Sequence, residues 1–120
     1  MTDLQKRGAA QPIVTIVLFL LLLVAGFVLI KESAAKSEAQ SIADTLSAEI
    51  NNGPTEVEVH ELLGLTPTAT RKPGHKKYVE EYTNQGMLKT YTVYAYYRTG
   101  AAKFLEAVSV NETIPEWETE

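Results

Sequence analysis

Hydrophobic positions along this chain change rhythm twice, and each change predicts a new kind of element. Residues 13–30 read IVTIVLFLLLLVAGFVLI, eighteen residues without a charge, all but Thr15, Ala25 and Gly26 being Ile, Val, Leu or Phe. As a helix rising ~1.5 Å per residue the run spans ~27 Å, close to the ~30 Å hydrocarbon core of a bilayer. At roughly −0.3 to −0.6 kcal/mol for each large apolar residue, insertion is favourable by several kcal/mol, and a helix satisfies its own backbone groups in lipid. A single transmembrane helix over residues 12–30 is therefore expected, behind a short polar tail at 1–11. A soluble core helix of this kind would need covering on every side, and the remaining chain is too small to do that.

From Lys31 to Ile50 the rhythm becomes helical and one-sided. Ala35, Ala39, Ile42 with Ala43, Leu46 and Ile50 recur at three- and four-residue steps, uninterrupted by Gly or Pro. Glu32 and Lys36 form an i,i+4 pair of the favourable order. This predicts a juxtamembrane amphipathic helix over 31–50, a stalk whose distal half packs on its own domain. A self-associating coiled coil is the alternative, with barely two heptads to support it. Asn51-Asn52-Gly53-Pro54 ends the helix. Thr55-Glu56-Val57-Glu58 then reads as a capping box opening a short helix, with Val59, Leu62 and Leu63 on its apolar face and Gly64 just past its end. Residues 65–77, with two prolines, a glycine and three threonines, read as a loop.

Beyond residue 77 the period is two. Strands are expected over 77–82, 87–98 and 103–110, joined by turns at Thr83-Asn84-Gln85-Gly86 and Thr99-Gly100. The chain is thus an α+β protein: one transmembrane helix continuing into an amphipathic helix, then a small domain at 51–110 with a short helix and a three-stranded antiparallel sheet, then an acidic tail at 111–120. Two helices can cover one face of such a sheet. In the long strand Leu88, Thr92, Tyr94 and Tyr96 share one face, and Tyr91, Val93, Ala95 and Tyr97 the other. The leucine places the helices on the first face. Tyr91, Val93 and Tyr97 are then left open and, with Trp117 of the tail, are the candidate partner-binding residues, since tyrosine brings large apolar area with a hydroxyl that tolerates water. The alternative has the acidic tail folding over that face with Trp117 packed on the tyrosines.

Charge narrows the partners. Lys6 and Arg7 are two of the 11 basic residues and Asp3 one of the 15 acidic ones, so residues 31–120 keep nine against fourteen. An acidic domain argues against nucleic acid as a partner. The absence of cysteine removes disulfides, thiolate metal sites and a cysteine nucleophile. One segment runs against the trend: Arg71, Lys72, Lys76 and Lys77, with His75 among them, make a candidate electrostatic contact for anionic headgroups or an acidic partner. Around the span, Lys6 and Arg7 face Lys31 and Lys36, and the α-amino group tips the comparison towards a cytoplasmic N-terminus and an extracytoplasmic domain. The run is longer than a cleavable signal core, and the best small-x-small site, Ser37-Glu38-Ala39, lies beyond three charges, so an uncleaved signal-anchor is expected. Leu23-Val24-Ala25-Gly26 resembles the start of a lipoprotein box, but Phe27 stands where the lipidated cysteine would be.

Catalytic patterns are poor. His60 and His75 fall on different elements without metal-ligand spacing, and His60 reads as a solvated helix residue. Glu80 and Glu81 are adjacent on a strand, so they face opposite ways and cannot form an acid–base pair. No phosphate loop or nucleophile elbow is present. No enzyme activity, cofactor, metal or small-molecule substrate is expected. The expected partners are the bilayer, through residues 13–30, and a protein or a second copy of the chain.

Two resemblances add to this. Over residues 41–110, the capped helix ending Leu62-Leu63-Gly64, Pro67 in the next loop, a tyrosine-bearing first strand and a Val-rich last one resemble the small SmpA/OmlA-type lipoproteins of outer-membrane assembly (BamE-like). The same features resemble the β-lactamase-inhibitor-protein-like modules. Thr66 stands where the family's Leu-Gly-x-Pro has proline. That resemblance implies a non-catalytic module that binds partner proteins. The leader ending Lys6-Arg7-Gly8, followed by an apolar helix, an amphipathic helix and a distal antiparallel sheet, is similar to a type IV pilin-like subunit. There Gly8 would be the processing point, and Ile13 stands where the pilin pattern has glutamate.

Overall fold

A computed structural model describes residues 2–119, with side chains described over 12–119. Helix α1 runs unbroken over Thr2–Glu49 and is closed by a 3₁₀ turn, Ile50–Asn52. Helix α2, Glu56–Leu63, follows, then strands β1 (Ala69–Arg71), β2 (Lys77–Gln85), β3 (Thr90–Thr99) and β4 (Lys103–Val110), and a final turn of helix, α3 (Pro115–Glu118). The strands form one antiparallel sheet in the order β1-β2-β3-β4. The α+β class expected from the sequence is therefore present, with four strands rather than three. The extra strand lies inside the segment read as loop, where Ala69, Thr70 and Arg71 pair with Glu81, Glu80 and Val79. The turns also move: 83–85 belong to β2, and residues 86–89 make the β2–β3 turn.

The two halves of α1 meet different surroundings. Over Pro12–Asn52 this helix is long and apolar enough to cross a membrane, and its most apolar window is wholly unburied. Beyond residue 31 the expected stripe forms the spine of the core: Ala35, Ala39, Ile42, Ala43 and Leu46 are all buried, Leu46 completely. The small alanines let large groups come close. They share one cluster with Tyr78, Tyr82, Tyr91, Val93, Ala95, Tyr97 and Leu105 of the sheet and Val59 of α2. Large opposite small is how an interior reaches close packing.

That cluster reverses the expected orientation of the sheet. Tyr91, Val93, Ala95 and Tyr97 face the helices and are buried, while Leu88 stands 77% exposed. Leu88 was the residue that weighted the other face, and it lies in the β2–β3 turn, outside the strand. Without it the odd-numbered face, with Val93 and Ala95 at its centre, is the more apolar one. Tyr91, Val93 and Tyr97 are therefore core residues and offer no open patch. On α2, Val59 is fully buried as expected, but Leu62 points outward, 48% exposed. The N-cap forms: Thr55 Oγ1 accepts from the Glu58 amide at 3.3 Å, and its hydroxyl lies 3.1 Å from the Glu58 carboxylate. The helix ends on Gly64, in the left-handed region at φ 64°, whose N–H donates to the His60 carbonyl.

Candidate functional site

The register of β2 against β3 places Glu80 opposite Ala95, on the face that the helices cover. Its side chain is fully buried. An uncompensated carboxylate there would cost several kcal/mol, so its partners decide whether the domain folds. Four groups gather round it. His60 Nε2, reaching down from α2, lies 2.9 and 2.7 Å from the two carboxylate oxygens. The Tyr82 hydroxyl donates at 3.1 Å and that of Tyr78 at 3.4 Å. Tyr97, stacked obliquely on Tyr78 with ring centroids 5.9 Å apart, keeps a buried hydroxyl without a hydrogen-bond partner. Burial first, and then the Glu80 charge, push the Tyr78, Tyr82 and Tyr97 hydroxyls above their usual range.

At the rim, Glu56 stands one turn before His60, 4.0 Å from its Nε2. Lys103 bonds the other Glu56 oxygen at 3.0 Å and lies 3.8 Å over the Tyr78 ring. The bond to Glu56 raises the Lys103 ammonium above its usual value. Ligand atoms of Glu56, His60 and Glu80 fall within 4.8 Å of one another, a nitrogen–oxygen donor set of the kind zinc accepts. Each of these donors, however, is already engaged by a protein group: His60 by Glu80, Glu80 by two tyrosines as well, and Glu56 by Lys103. The arrangement is a closed knot tying α2, β2 and β4 together. His60 is thus a half-buried partner of Glu80, where the sequence suggested a solvated residue. The Glu56–His60 spacing of one helical turn was visible beforehand, but the third member arrives only through sheet register.

The other face of the sheet is covered by the C-terminal segment. Trp117 packs on Tyr96 with centroids 5.6 Å apart, and Arg98 lies over the Trp117 ring at 5.7 Å. The tail does fold over tyrosines, then, but over Tyr96 rather than Tyr91 and Tyr97. Arg71 fixes the tail by two bonds to Glu118, at 2.5 and 2.7 Å, with a third to Glu81 at 2.9 Å. The Tyr96 hydroxyl adds a bond to Glu118 at 3.1 Å and accepts from the Ile114 amide at 3.0 Å. Hydrogen bonding to Arg71 holds the Glu118 carboxyl below its usual range, and burial pushes the Tyr96 hydroxyl up to about 12.

The basic cluster is divided accordingly. Arg71 is consumed by Glu81 and Glu118, and Lys77 donates to the backbone carbonyls of Glu116 and Thr119. Lys72 and Lys76 stay exposed beside a shallow depression between residues 72–77 and the β3–β4 turn. That depression lies beside the β3–β4 turn, at the end of β3 opposite Tyr91, whose hydroxyl bonds Glu32 next to the apolar run of α1. No protein-family model, curated protein or solved structure matches the chain.

Proposed function

We propose that this chain is a single-pass, membrane-anchored, non-catalytic protein-interaction module whose domain lies outside the cytoplasm. The observation that carries the reading is the continuity of α1. One helix is apolar and unpacked over residues 13–30 and is the spine of a folded domain from Ala35 to Leu46. Such a helix ties the domain rigidly to the bilayer, with no flexible linker between. The non-catalytic part rests on the Glu80 knot, whose titratable groups bond to one another and leave no pair free to act on a substrate.

A protein partner has an apolar surface to bury. Among the described residues outside the span, the exposed large apolar side chains are Val57, Leu62 and Leu65 on and beside α2, Phe104 on β4, and Met87 with Leu88 in the β2–β3 turn. Phe104 lies on the opposite face of the sheet from Leu105, which packs in the core with Val59. The α2 group is the better partner surface, apolar side chains rimmed by Glu58 and Glu61. A photo-crosslinking residue at Val57, with Glu106 as the control position, tests this in intact cells. The reading expects a discrete heavier band from position 57 that disappears in a Leu65→Asp background. Failure of positions 57, 62 and 65 all to crosslink overturns it. Orientation is read from the same cells: a cysteine at position 101 reacts with an impermeant maleimide if the domain is outside.

A second reading, a type IV pilin-like filament or secretion subunit, is favoured by the same shape. An apolar half-helix projecting from a head built on one antiparallel sheet is also what a filament needs, many such helices packing side by side in its core. Filaments released from cells by shearing and containing this chain support that reading; their absence leaves the anchored module.

A further inference from the structure

We infer that the β2–β3 turn, residues 86–89, is a second membrane contact, seated in the headgroup layer of the bilayer that α1 crosses. The inference rests on the reading of residues 13–30 as a membrane span. Glu32 carries the geometry. Its carboxylate accepts from the Leu88 amide at 2.8 Å and from the Tyr91 hydroxyl at 2.6 Å, which clamps the tip of the hairpin onto the helix. Glu32 is two residues past the end of the apolar run, only ~3 Å further along the helix axis. The interfacial layer of a bilayer adds roughly 5–7 Å on each side of the hydrocarbon. A turn held at the level of Glu32 is therefore inside that layer.

The composition of the turn suits the place. Met87 is 50% and Leu88 77% exposed, two large apolar side chains side by side with no protein cover. Lys89, whose ammonium lies 5.5 Å from the Tyr91 ring centre, and exposed Lys31 stand beside them, cations at the height of lipid phosphates. A bare carboxylate would be badly placed here, but Glu32 is occupied by the turn itself, and its bond to Tyr91 holds it below the usual carboxylate range. Gly86 is what lets the turn close. A Cβ at that position would stand 2.3 Å from Glu32 Oε2 and 2.9 Å from the Lys89 carbonyl oxygen. The opposite end of β3, nine residues on at ~3.3 Å each, is ~30 Å away and beyond the layer altogether. The domain is thereby held at a fixed height and tilt, with α2 and the β3–β4 turn facing away from lipid.

Because the chain has no cysteine, single labels can be placed at will in the full-length protein. Leu21→Cys, Leu88→Cys and Ala101→Cys, each carrying a bimane, are reconstituted in phosphatidylcholine–phosphatidylglycerol vesicles with a spin label in the acyl chain or on the headgroup. The Leu21 probe is quenched by the acyl-chain label, which establishes the span. The Leu88 probe is quenched by the headgroup label several-fold more than the Ala101 probe. In a Glu32→Ala background the Leu88 probe loses that quenching while the Leu21 probe keeps its own. A quenched Leu21 probe with Leu88 no different from Ala101 overturns the contact and spares the span. An unquenched Leu21 probe overturns both.

Discussion

The two halves of α1 are one continuous helix with two patterns of hydrophobicity. Residues 13–30 are apolar all round, and none of the window that identifies them is buried by protein. Residues 31–49 are apolar along one stripe, and that stripe is buried to the last alanine, Ala35 being 8% and Ala39 1% exposed. What distinguishes them is the angular distribution of hydrophobicity, not its presence. An all-round pattern asks for an apolar medium, and a one-sided pattern asks for a sheet to lie against. The difference predicts that the halves are energetically separable: damage to one leaves the other intact.

The largest expected effect is in the distal half. Leu46→Ala empties a fully buried position among tyrosines and should cost about 2–5 kcal/mol of domain stability. Thermal unfolding in detergent reads this, and membrane extraction of the same variant should be unchanged. The reciprocal substitution, Leu21→Arg, costs roughly 2.5–3.5 kcal/mol for insertion at the centre of the span. It should lower the membrane-integrated fraction while leaving the domain's unfolding midpoint in place. A midpoint that falls in step would mean the proximal half packs on the domain.

Acid should loosen the joint between the halves before it unfolds the core. Glu32 is held low by its bonds to Tyr91 and Leu88, and Glu118 by Arg71 and Tyr96. A carboxylate whose folded value lies below its unfolded one stabilises fully above the ordinary value of 4.5, and loses that contribution as pH falls through the lowered value. The protection of the Leu88 amide, measured against its intrinsic exchange rate at each pH, should therefore fall below that pH. The emission of Trp117, the only tryptophan, should shift red over the same range as the tail releases. Glu32→Gln should abolish the pH dependence at Leu88 without changing that of Trp117. The smallest effect is expected from Tyr97→Phe. It removes a buried hydroxyl that has no partner, so stability should stay within about 1 kcal/mol or rise slightly. A large loss would mean that the hydroxyl helps hold Glu80.

What the sequence made legible follows from how local each signal is. The apolar run, the stripe at Ala35 to Leu46, the Thr55 cap and the Gly64 stop are decided within a turn or two of helix, and all appear where the pattern placed them. Strand β1 was hidden because Ala69, Thr70 and Arg71 carry no alternation and owe their conformation to β2. The alternation points to the wrong face of the sheet because Leu88, which extends it in sequence, lies in the turn outside β3. The Glu80 knot was hidden for a related reason: Glu80 and His60 lie twenty residues apart, and only the register brings them together. Trp117 anchors the tail as its isolated aromatic ring suggests, but its partner, Tyr96, is set by which face of the sheet the helices cover.

Alkaline carbonate extraction of membranes containing the full-length chain tests the central claim most directly. If residues 13–30 cross the bilayer, the chain stays in the membrane pellet while a fragment of residues 31–120 passes to the supernatant, its peripheral contact too weak to resist the wash. Recovery of the full-length chain in the supernatant would contradict the account, because a helix embedded in hydrocarbon is not released by breaking surface contacts.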